Sequence, residues 1–122
     1  MRKVGDYYEE KVCEYLISRG YKILERNFSI KGGEVDIIAK DKNDLVFIEV
    51  KARRKDFGYS PLEAVTPKKI NRIGKAALMY VKKNFKEDMP QIRFDAAAVS
   101  ETEDGEKIEY VENAFCPQGY FF

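Results

Sequence analysis

Gly33-Glu34-Val35-Asp36-Ile37-Ile38-Ala39-Lys40 and Leu45-Val46-Phe47-Ile48-Glu49-Val50-Lys51 are separated by Asp41-Lys42-Asn43-Asp44, and this stretch decides the fold. Two β-prone runs around a tetrad of turn formers read as a hairpin, with strands over 34–40 and 45–53. Side chains alternate along a strand, so Val35, Ile37 and Ala39 are expected on one face with Val46, Ile48 and Val50. That face is wholly apolar and must meet a core. The other face carries Glu34, Asp36, Ile38, Phe47, Glu49, Lys51 and Arg53.

The loop also sets a register. If 41–44 is a symmetric loop, Lys40 faces Leu45, Ile38 faces Phe47, Asp36 faces Glu49 and Glu34 faces Lys51. Directly opposed residues have Cβ atoms ~5 Å apart. Two carboxylates ~4 Å apart repel by ~4 kcal/mol at an effective dielectric of 20. A divalent cation such as Mg²⁺, which takes one or two carboxylates plus substrate phosphate, removes that repulsion. The plainer reading is a solvated hairpin face on which Glu34 and Lys51 form a cross-strand pair.

Outward from the hairpin, residues 5–19 read as a helix. Tyr8, Val12, Tyr15 and Leu16 recur at helical spacing, and Gly20 stands where a helix stops. Glu9 is the one charge in that stripe, which makes it either a third acid for the site or a stripe-edge residue turned to water. Residues 21–30 read as a strand ended by Gly32-Gly33. Residues 54–65 read as a loop with Gly58 and Pro61. Thr66-Pro67 then reads as an N-cap with proline at the first helical position, opening a helix to about Asn84. Strands follow over 91–100 and 107–112. The order α-β-β-β-α-β-β makes this an α/β chain, with one mixed sheet and flanking helices.

With 122 residues and no linker or repeat, a single domain is expected. Histidine is absent and only Cys13 and Cys116 are present, which excludes Ser-His-Asp and Cys-His chemistry, histidine-ligated metals and four-thiolate zinc. Carboxylate, lysine and hydroxyl chemistry remain. The longest apolar run, Ala76–Val81, is far short of a membrane span, and 1–10 show no signal-peptide core. A cytoplasmic location with free thiols is expected. The net charge of +1 conceals a division: residues 51–86 hold eleven Lys/Arg against two acids, while 101–112 hold six acids and one lysine. A basic block with Phe57 and Tyr59 suggests a polyanionic partner, or else a solvated helix face.

At these residues the sequence resembles the PD-(D/E)XK nuclease superfamily, and within it the YraN-like family of predicted endonucleases, related to archaeal Holliday-junction resolvases. Gly5, Glu9, Tyr15-Leu16, Gly20-Tyr21, Gly33–Ala39, Val46–Lys51, Ala64–Pro67 with Lys69, and Phe94-Asp95 carry the resemblance. It covers about 4–115. Val35 stands where the superfamily name expects proline.

The resemblance implies a restriction-endonuclease-like fold over 1–115, with 116–122 a tail of unassigned role. It implies that Asp36 and Glu49, with Glu9, bind Mg²⁺ or Mn²⁺. Lys51 would orient or deprotonate water, or neutralise the scissile phosphate. Arg53, Arg54, Lys68, Lys69 and Arg72 follow the site and could hold the phosphate backbone of DNA, without reading sequence. Two alternatives stand beside an endonuclease: a nucleic-acid-binding module of the same fold with little turnover, and an assembly protein using its basic helix. A homodimer is expected by analogy, through the aromatic tail (Ala114, Phe115, Tyr120–Phe122) or the 57–61 loop, unless the tail folds back to cover a sheet edge of its own subunit.

Overall fold

Residues 4–53 and 65–119 are described by a computed structural model of the chain. Helix α1 (Val4–Ser18) places Val12 and Leu16, four residues apart, fully inside. It closes as a Schellman motif: Tyr21 N–H donates to Leu16 O, Gly20 N–H donates to Ile17 O, and Gly20 takes φ +90°. The chain then runs through strands β1 (Lys22–Ile30), β2 (Gly33–Asp41) and β3 (Asp44–Arg53). Helix α2 (Pro67–Asn84) crosses over to β4 (Gln91–Thr102), which lies parallel to β3, and β5 (Gly105–Val111) returns antiparallel. The five strands stand in chain order, β1-β2-β3-β4-β5.

The sheet is covered on both faces. Val12, Cys13 and Leu16 of α1 pack on Ile37, Ala39, Val46, Ile48, Ala97 and Val99. Ile73, Ala76, Ala77, Tyr80 and Val81 of α2 pack on Val35, Ile38, Leu45, Phe47 and Phe94. The α/β class and the element order are therefore as the sequence indicates, and the mixed sheet is that of a restriction-endonuclease-like fold. Both cysteines are free, Cys13 buried and Cys116 exposed. Among the described residues no helix is long and apolar enough to cross a membrane.

Three expectations need correction. The hairpin turn is Lys42-Asn43 rather than a four-residue loop, because Asp41 and Asp44 still pair; Lys42 takes φ +57°. The plainer reading of a solvated second hairpin face fails at Ile38 and Phe47, which α2 buries completely, while Glu34 stays exposed. Val35 does not share a face with Ile37 and Ala39; it joins the α2 core. Two residues that should alternate in phase lie on opposite faces, so the pleat is interrupted at Asp36. Asn27 lies between Arg26↔Ile37 and Phe28↔Val35 in β1, and it takes φ +53° at the same level. The expectations for Gly58, Pro61, Arg54, Phe57, Tyr59 and Tyr120–Phe122 fall outside the described residues, as does the Arg53 side chain.

Candidate metal and nucleic-acid site

The irregularity at Asp36 builds the site. The β2–β3 ladder runs from Asp41↔Asp44 to Ile37↔Ile48, in the register counted from the loop. One residue further, the Asp36 carboxylate itself accepts the Val50 N–H, at 2.8 Å from Oδ2. A side-chain oxygen thus takes a β3 backbone donor, and the carboxylate is held at the point where the pleat breaks. Glu49, beside Val50, follows Phe47 onto the α2 face and is only 2 % exposed.

A carboxylate buried this deeply requires a partner. Glu49 has two: Lys69 Nζ donates to its Oε1 at 2.7 Å, and Lys51 Nζ lies 3.8 Å from the same oxygen. Lys69 comes from the first turn of α2, which Thr66 caps by accepting the Lys69 N–H at 3.2 Å. Beyond it, Arg72 Nη2 lies 3.6 Å from Glu34 Oε1, and the Lys75 side chain lies over Gly32. Gly33 is what lets α2 approach. A Cβ there would stand 2.8 Å from the Arg72 carbonyl oxygen and 3.0 Å from the Ala76 nitrogen.

Charge at the site is finely set. Burial, and then the nearby Glu49 charge, push the Asp36 carboxyl up to about 7; the Val50 hydrogen bond and Lys69 act the other way. Burial and the neighbouring Lys69 pull the Lys51 ammonium below its ordinary range. Burial also disfavours the Lys69 ammonium, but its hydrogen bond and attraction to Glu49 prevail and hold it above. Asp36, Lys51 and Lys69 thus gather their charges around the Glu49 carboxylate as one unit.

Asp36, Glu49 and Lys51 thus come together, and Lys69 joins them. Sequence reasoning placed Lys69 only along the phosphate path, yet a signal was available. Thr66-Pro67-Lys68-Lys69 puts lysine at the capping-box position where Glu or Gln would complete the box. Glu9 is carried by α1, which packs on the sheet face opposite α2; it is half-buried, with its Oε1 withdrawn from solvent. Among the described residues no group of three or more acidic or cysteine side chains could hold a metal. The donor set at hand is therefore the Asp36–Glu49 pair. Its oxygens suit Mg²⁺ or Mn²⁺, with the other positions left to water and phosphate. The suppressed ionisation of Asp36 fits as well, because a divalent cation relieves it. Lys68 and Lys75 stand exposed and Arg72 half-buried on the adjoining face of α2.

A second polar cluster lies under α1 and was not anticipated beyond the Phe94-Asp95 pair. Asp95 is fully buried, and Arg93 donates to both its oxygens at 3.0–3.1 Å. The same guanidinium reaches Asp41 at 3.0 Å and the Tyr21 hydroxyl at 2.6 Å. The Tyr110 hydroxyl and the Asn113 N–H donate to Asp95 at 2.6 and 3.0 Å. This network joins the hairpin turn, β4 and β5, and its donors and acceptors are matched among themselves.

Comparison with known proteins places the chain in a wider set. The model of the uncharacterised protein family UPF0102 matches residues 8–99. A UPF0102 protein of Syntrophomonas wolfei is 42% identical over 114 residues, spanning 93% of this chain and 98% of the relative. Those of Trichlorobacter lovleyi and Dictyoglomus turgidum are 45% and 44% identical. They cover 92% and 93% of this chain and 89% and 98% of their own length.

Proposed function

The chain belongs to the UPF0102 (YraN) family, and from that premise we propose that it is a metal-dependent endonuclease acting on DNA phosphodiester bonds, with branched DNA as its preferred substrate. One observation carries the reading: Asp36 and Glu49 are drawn out of solvent beside Lys51 and Lys69, where the pleat of β2 breaks. A fold built for stability alone would not hold two acids there.

Asp36 and Glu49 would hold the Mg²⁺ or Mn²⁺ ion, which when bound polarises a phosphoryl oxygen and lowers the pKa of water. Lys51, whose ammonium is made readier to give up its proton by burial and Lys69, would in its neutral amine form orient the attacking water and accept its proton. Lys68, Arg72 and Lys75 along α2 hold the phosphate backbone, which positions the strand without reading bases. Glu9 joins this reading only as an outer contributor on α1. A homodimer would present two such sites to the two strands of a branch point.

The second reading, a binding module of nuclease fold without turnover, is favoured by one observation. The Lys69–Glu49 ion pair balances Glu49 without any metal. Labelled four-way, flapped, duplex and single-stranded DNAs incubated with pure protein in Mg²⁺ or Mn²⁺ separate the two. The endonuclease reading expects cleavage that Asp36→Asn abolishes. Binding without cleavage of any substrate favours the module.

A further inference from the structure

Lys69 is placed against two local rules at once. The first turn of a helix favours anions, and the third helical position after a Thr N-cap favours Glu or Gln, yet α2 has no acid in its first turn and carries Lys68 and Lys69 there. Violations of this kind concentrate where a side chain serves a site rather than the helix. Geometry supplies the service. Lys69 Nζ is 2.7 Å from Glu49 Oε1, closer than Lys51 at 3.8 Å, so one carboxylate oxygen faces two ammonium groups.

Burial is unequal across this pair. The Glu49 side chain is 3% exposed, whereas that of Lys69 is 35% exposed. Glu49 is fixed within the sheet, but Lys69 reaches in from the helix surface on a flexible four-carbon stem and can return to solvent. Lys68 and Arg72, its neighbours on α2, already stand on the face assigned to phosphate.

We propose that Lys69 is a built-in cation occupying the metal-facing oxygen of Glu49, that a divalent ion must displace it, and that the released ammonium turns to the substrate phosphate. Lys69 is thus a positioning residue for the empty site and a phosphate contact in the loaded one. This rests on the metal-dependent reading above. It explains why Glu49 stays ordered and balanced before metal arrives, and it couples metal entry to the appearance of a new phosphate-binding charge.

The test is Mn²⁺ affinity, measured by titration calorimetry on the full chain and on Lys69→Met and Lys69→Arg. Removing the competing cation makes Lys69→Met bind Mn²⁺ about tenfold more tightly, the size of one charge-assisted hydrogen bond that no longer competes. Lys69→Arg keeps the competitor and shows no such gain. An affinity for Lys69→Met equal to or weaker than the parent's overturns the displacement proposal and leaves the metal site standing. No Mn²⁺ binding by any of the three removes the metal site, and the proposal with it. Should Lys69→Met not fold, the native chain labelled at lysine Cε gives the same answer by NMR. The Lys69 resonance, assigned through Lys69→Arg, moves as Mg²⁺ saturates the site if the ammonium is displaced. If it holds its position at saturation, the proposal is refuted.

Discussion

Replacing Asp36 with asparagine should make the metal-free protein more stable at pH 8 and leave it unchanged at pH 4. The unfolded chain ionises this aspartate near 3.8, whereas the folded chain retains the proton to about 7. Between those values the folded state binds a proton that the unfolded state does not. The group's contribution to stability is therefore full below pH ~4 and is lost as the pH rises to about 7. The interval is about three decades at about 1.4 kcal/mol each, or about 4 kcal/mol. Asparagine retains an oxygen for the Val50 N–H, 2.8 Å away, but accepts more weakly than a carboxylate. A net gain of about 2–4 kcal/mol at pH 8 follows. Urea denaturation of both proteins in chelator at pH 4, 6 and 8 measures it, with the difference between variants isolating this one group. A gain that does not change with pH, or a variant less stable than the parent at pH 8, would refute the reasoning.

The remaining expectations concern the frame around the site. Gly33→Ala should cost about 1–3 kcal/mol, because the added methyl meets backbone atoms of α2 that cannot rotate away; a neutral result in urea denaturation would mean that α2 is not seated on Gly33. Asp95→Ala should cost about 3–5 kcal/mol by leaving Arg93 buried without its main partner. A loss under about 1 kcal/mol in the same assay would show that the network adds nothing. Neutralising Lys68, Arg72 and Lys75 together should weaken binding to all DNA sequences alike and flatten the logarithmic salt slope by about 2–3. An effect confined to one sequence, or an unchanged slope, would place the nucleic-acid surface elsewhere.

Much of this frame was legible because period and turn chemistry are local signals. Loop counting from 41–44 predicted the Ile38↔Phe47 pairing, which the ladder contains. Thr66-Pro67 marked the start of α2, and Gly20 marked the end of α1. What escaped was set by contacts between distant segments. No periodicity announces that the Asp36 carboxylate takes a backbone donor from β3, and that bond, not a cross-strand pairing with Glu49, fixes its place. Val35 departs from simple alternation for the same reason, since the pleat breaks at its neighbour. The burial of the second hairpin face could have been read from Ile38 and Phe47, whose bulk does not suit a solvated surface. Lys69 carried its own signal in the N3 position of α2. Arg93 and Asp95 carried one too, as two charges in a strand that continues Ala96-Ala97-Ala98-Val99.

The central claim, that Asp36 and Glu49 form a divalent-metal site, is tested most directly by anomalous diffraction from crystals grown in millimolar Mn²⁺. The account predicts one strong anomalous peak within coordination distance of both carboxylates, with Lys69 Nζ withdrawn from Glu49. Density showing the 2.7 Å Lys69–Glu49 pair intact and no manganese between Asp36 and Glu49 would contradict it.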